Sequence, residues 1–195
     1  MVRGTLIAGL MGITVGLLAA SAQEKGGADL GSLLSSEDTR TATVSRIQAG
    51  GSRYLPQLLS LSRNPPPQLD SDELNVGLAD AFGGLRAVEA IPFLVEHIGL
   101  RRDRVVDLRP WMKTPRVVED TFPAVRALIL IGPRASKAVI ATYSGRMTYD
   151  ERLATVFVVS QIRGVPEAVP FLRSVAAQGG QEGARAEEAL RELAR

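Results

Sequence analysis

One histidine, no cysteine and a scatter of carboxylates bound the chemistry open to this 195-residue chain. With His97 alone there is no multi-histidine metal site, and no Gly-x-Ser-x-Gly, His-Glu-x-x-His or Walker sequence is present. The missing cysteines exclude disulfides, thiol catalysis and cysteine-built zinc sites. Asp70-Ser71-Asp72-Glu73 has the charge to attract calcium, but it lacks the ligand loop with a central glycine that calcium coordination needs. It reads instead as a helix N-cap, where a side-chain oxygen accepts free amide hydrogens. Glu187 and Glu188 read as a solvated helix face, and Gly-x-x-Gly fragments as helix stops. His97 stands near the end of a predicted helix, a place that favours a cationic or hydrogen-bonding side chain. No catalytic, cofactor-binding or metal-ligating residue is assigned, and the chain reads as non-enzymatic.

The remaining candidate is a recognition surface. Residues 100–118 collect Arg101, Arg102, Arg104, Arg109, Lys113 and Arg116 around the only tryptophan, Trp111, with prolines at 110 and 115. A rigid aromatic flanked by guanidinium groups can bury apolar area against a partner while the cations pair with its carboxylates or phosphates. Trp111, Arg101, Arg102, Arg109, Lys113 and Arg116 are therefore the candidate partner-binding residues. The same residues also fit a solvated loop, its charges offset by Asp103, Asp107, Glu119 and Asp120 and Trp111 folded onto the core. Sequence leaves both readings open.

These residues interrupt a repeat. Glu89-Ala90-Ile91-Pro92-Phe93-Leu94 returns as Glu167-Ala168-Val169-Pro170-Phe171-Leu172, and weaker copies stand at 50–59 and 132–143. Aligning Pro56, Pro92, Ile140 and Pro170 gives spacings of 36, 48 and 30 residues, so the excess falls on 100–118. Each copy follows another helical segment, the pattern of helix pairs that bury their apolar faces only by stacking. In these residues the chain closely resembles the HEAT-repeat family in its bacterial short-repeat form, from about residue 35 to the C-terminus. The resemblance implies an all-α fold, an α-solenoid of about four antiparallel pairs plus a terminal helix, and a habit of binding other proteins. It also implies that second helices line the concave side, which adds Gln57, Glu96, Lys137 and Arg173 as contact positions. Some HEAT-like proteins are lyases acting on tetrapyrroles, which supplies an enzymatic alternative; a purely structural cell-envelope subunit is another.

The pattern predicts the helices in turn. The first begins near Ser35 or Ser36, with Ala42, Val44 and Ile47 inward, and stops at Gly50-Gly51; its partner covers 53–62, before Asn64-Pro65-Pro66-Pro67 breaks the chain. Asp70 to Glu73 opens the second pair, Gly83-Gly84 stops its first helix, and 90–98 is its partner. The third pair starts at Asp120 or Thr121 and turns at Gly132-Pro133 into 135–143. Thr148-Tyr149-Asp150-Glu151 is a capping box, so the apolar run at 156–159 is helix rather than strand, within 149–162. A helix over 166–177 and a terminal amphipathic helix over 182–194 follow.

Residues 1–22 have the features of an export signal: Arg3, an apolar run over 6–19, and Ala20-Ser21-Ala22 at the cleavage point. The apolar run is shorter than the roughly 20 residues that span a bilayer as a helix. The expected organisation is a signal over 1–22, a flexible tether over 23–34 that includes a short leucine cap, and a repeat domain over 35–195 with its insertion at 100–118. Cleavage removes Arg3, taking 23 basic residues to 22 against 21 acidic ones, a net charge of +1. That balance gives no general attraction to nucleic acid or to anionic membrane. The expected function is a periplasmic or secreted protein-binding scaffold, with a protein partner and without nucleic acid, membrane span or cofactor.

Overall fold

Helix starts are built here from caps and prolines that the sequence displays. In the computed structural model, residues 30–102, 115–143 and 146–193 are described, and their regular structure is helical, with no strand among them. The expected export segment over 1–22, residues 23–29 of the expected tether, and Arg104, Arg109, Trp111 and Lys113 of the expected insertion lie outside the described residues.

The expected tether gives way to structure at residue 30. A short helix α1 covers 30–35, with Leu30 and Leu34 buried as the expected leucine cap. Helix α2 (Glu37–Gly50) follows with Glu37 and Asp38 in its first turn, although Ser36 makes no side-chain cap bond and Ala42 faces solvent. Arg40, 6% exposed, joins the two. Its Nε donates to the Leu34 carbonyl at 3.0 Å, and its guanidinium pairs with Glu73. A cation thus meets the carbonyls left open where α1 ends, the site a helix dipole favours for positive charge.

A 3-10 turn (Gly51–Tyr54) leads into α3 (Leu55–Arg63), and Asn64 closes it. Helix α4 (Ser71–Leu85) begins as expected, with an Asp70 side-chain oxygen accepting from the amides of Asp72 at 2.9 Å and Glu73 at 3.0 Å. Its end differs from the sequence reading. Gly83 and Gly84 lie within the helix, and the stop is Arg86, at φ 50°. The Arg86 amide donates to the Gly83 carbonyl and the Ala87 amide to that of Phe82, both at 3.0 Å, the Schellman arrangement with arginine in the usual glycine place. Gly83 serves close packing instead, as does Gly77 earlier in the helix. A methyl group on Gly83 would lie 2.8 Å from the Ala127 Cα, and one on Gly77 would lie 2.3 Å from the Leu34 carbonyl oxygen.

A second 3-10 turn (Val88–Ala90) precedes α5 (Ile91–Glu96), with Pro92 in its first turn. Helix α6 (Pro115–Thr121) occupies the end of the insertion, so Asp120 and Thr121 close a helix rather than cap the next one. The residue before α7 (Pro123–Ile131) is Phe122, which has no capping oxygen; the fixed φ of Pro123 starts the helix. Gly132, at φ 82°, turns the chain into α8 (Pro133–Thr142). Helix α9 (Tyr149–Arg163) carries the complete Thr148–Glu151 capping box, and the 156–159 run is helical. Helices α10 (Val165–Ala176) and α11 (Gly180–Leu193) complete the described chain.

Helix α2 packs on α4, α4 on α7, and α7 on α9. On the other side α5 packs on α8, and α11 touches α8, α9 and α10. The core runs through these contacts as one cluster. Equivalent positions of the duplicated hexapeptide share a fate: Ala90 and Ala168 are fully buried, as are Leu94 and Leu172.

Candidate functional site

Three of the six candidate recognition residues can be placed, and they fall into two kinds. Arg116 is exposed on α6. Arg101 and Arg102 are held at the base of the insertion. Arg101 stands with its guanidinium carbon 5.3 Å from the centre of the buried Phe122 ring, within cation–π range. Arg102 pairs with Asp80 of α4, donates from Nε to the Asp120 carbonyl at 3.1 Å, and donates its amide to the Thr121 carbonyl at 2.9 Å. These two cations fasten residues 101–102 onto α4 and onto residues 120–122 before α7. Trp111, Arg109 and Lys113 lie outside the described residues.

Arg102 also stands on the rim of a groove of about 390 Å³ that crosses α2, α4 and α7. Its floor is shallow because Ala79, Gly83 and Ala127 project almost nothing from the helices that meet there. The rim carries donors and acceptors from each helix: Gln48 from α2, the Asp80–Arg102 pair beside α4, and Arg126 from α7, with Asp120 at the end. Leu130, 38% exposed, adds an apolar lip at one side. Arg126 is exposed, and its guanidinium forms no ion pair with a described residue. Such a surface, with nearly balanced charge, can hydrogen-bond an extended or helical segment along its length and receive an apolar side chain against Leu130.

His97 caps α5, with its Nδ1 donating to the Phe93 carbonyl at 2.9 Å and its ring 4.3 Å from the Phe93 ring. That places it in a local packing role. Among the described residues no group of three or more His, Asp or Glu side chains is arranged to hold a metal ion, and no helix is long and apolar enough to cross a membrane. Comparison with protein-family models, with curated proteins and with solved structures finds no match.

The sequence reading placed contacts on the second helices, at Gln57, Glu96, Lys137 and Arg173. Glu96 does line a concavity, between α5 and α8. The groove over the first helices was missed because its cause is subtraction of side chains: Gly83 and Gly84 read as a helix stop, and Ala79 and Ala127 as unremarkable helix formers. The available signal was small residues at Ala79 and Gly83, four apart and hence on one face of one helix.

Proposed function

We propose that this chain is an exported, non-catalytic protein-binding scaffold, an α-solenoid of HEAT-like helix pairs whose first helices present a binding groove. The observation that carries the reading is that groove: one surface drawn from three successive first helices, α2, α4 and α7, with polar groups from each along its rim. A stack of helix pairs creates such a surface because equivalent helices lie side by side, and their exposed positions line up into one face. The buried equivalence of Ala90 with Ala168 and of Leu94 with Leu172 supports the repeat. The export segment supports a partner outside the cytoplasm.

The test is crosslinking of the protein recovered from the exported fraction, with the crosslinked sites mapped. Contacts should concentrate on α2, α4 and α7, and the variant Arg126→Glu with Leu130→Glu should reduce recovery of that partner at least tenfold without lowering the melting temperature. Recovery unchanged by the double variant, or a full-length product confined to the cytoplasm, would overturn the proposal.

A further inference from the structure

The second helices carry a different surface. Ile91 and Val95 of α5, with Ile98 just beyond its end, line a trough of about 620 Å³ with Ala138 and Ala141 of α8, and it is open to solvent. At Thr142 and Arg146 the trough continues into a cleft of about 680 Å³ against α11, because both residues line the two spaces. There the lining changes from hydrocarbon to charge: Arg146, Arg185 and Arg191 stand with Glu187 and Glu188, three cations against two carboxylates.

These charges do not pair with one another. The ion pairs among the described residues are Arg40–Glu73 and Arg102–Asp80, so none of the three arginines has a described carboxylate at pairing distance. Glu187 and Glu188 sit at helix-neighbour spacing from Arg191 and Arg185, yet neither pair closes. Arg191 instead donates from Nε to the Glu187 carbonyl at 3.4 Å. Glu151, on the trough wall, is committed to the cap of α9 through the amide and hydroxyl of Thr148. Glu96, exposed on the α5 side, repels an anion from that end.

From this polarity we infer that the α5–α8–α11 surface binds a segment of a partner protein in which apolar side chains are followed by carboxylates. The apolar residues lie between α5 and α8, and the acidic end lies toward α11 with its carboxylates among Arg146, Arg185 and Arg191. Guanidinium groups receive carboxylates in two-bond geometry, and charge-assisted bonds of this kind are about twice as strong as neutral ones. The inference rests on the scaffold reading and adds to it a second face and the chemistry of what that face takes.

The probe is a fluorescein-labelled peptide of leucine and alanine ending in glutamates, titrated with the purified chain and followed by fluorescence anisotropy. A peptide ending in lysines, and one with serine in place of leucine, are the controls. The glutamate-ended peptide should bind, and both controls should bind at least tenfold more weakly. Arg146→Glu should weaken binding at least tenfold through charge, and Ala141→Glu similarly by placing a carboxylate in the trough; Arg63→Glu, exposed at the end of α3, should leave it unchanged. Melting temperatures of all variants separate a lost contact from a lost fold. Equal binding of the glutamate and lysine peptides, or indifference to both Arg146→Glu and Ala141→Glu, overturns the inference. Tighter binding of dodecanoate, with displacement of the peptide, overturns it in favour of a lipid carboxylate. If the peptide fails while crosslinks to a partner map to α2, α4 and α7, this inference falls and the scaffold reading stands.

Discussion

Arg86 holds a left-handed backbone at φ 50° where a helix C-terminus usually places glycine. A side chain there crowds its own carbonyl and costs roughly 1–2 kcal/mol relative to ordinary helical backbone, while glycine adopts the conformation freely. Arg86 forms no ion pair with a described residue that its loss would sacrifice. Arg86→Gly should therefore stabilise the fold by about 1 kcal/mol, raising the melting temperature by roughly 2–4 °C. A lower melting temperature would show that the arginine side chain contributes more than its backbone costs. At this scale the sequence was readable where a residue's role is local. Asp70 and the Thr148–Glu151 box cap the helices expected of them. Arg40 was not readable, because an arginine in a polar helix gives no sign that it will be buried against the carbonyl of Leu34, six residues earlier.

Helices were legible as to existence and less so as to where they stop or what they touch. The hexapeptide shared by 89–94 and 167–172 shows the limit: Pro92 lies in the first turn of α5 after a 3-10 turn, whereas Pro170 lies inside α10. The difference arises upstream, where Gly164 and Pro166 start α10 a turn earlier, so local residues that differ only at Ile91 and Val169 meet different helix phases. Gly83 and Gly84 were misread for a related reason, since a glycine pair ends a helix or admits a neighbour, and only the neighbour decides. The two positions separate these effects. Both should gain roughly 1 kcal/mol of helix propensity on substitution by alanine. At Gly83 the new methyl meets the Ala127 backbone at 2.8 Å, so Gly83→Ala should destabilise by about 1–3 kcal/mol net of that gain. At Gly84 it meets the Gln48 side chain, which can swing away, so Gly84→Ala should be neutral or stabilising. Denaturant midpoints of the pair measure this directly, and equal effects would refute a close α4–α7 crossing as the reason for Gly83.

For the molecule as a whole, the all-helical class was legible because apolar residues recur at helical spacing between glycine and proline breaks. The binding surfaces were not, since they arise where residues distant in sequence share a face. Thr41, Asp80 and Arg126 meet along one groove, and no local pattern joins them. A stack of helix pairs also makes a prediction that a single globular core does not. Helix α11 buries Ala186 and Ala189 completely and packs on α10, α9 and α8. Removing residues 180–195 uncovers the apolar faces of α10, α9 and α8 beneath it. At roughly 1.5–3 kcal/mol for each large apolar side chain returned to water, the loss should be on the order of 5 kcal/mol, a large part of a domain's stability. If each pair is stabilised mainly by its neighbours, the damage should fade along the chain. Amide exchange in the truncated protein should then accelerate most in α10 and α9, and least in α2 and α4, which do not contact α11 to any comparable extent. Uniform acceleration from α2 to α10 would mean one cooperative core, and unchanged exchange in α9 and α10 would mean that α11 is a loose appendage; either result would defeat the stacked-pair account.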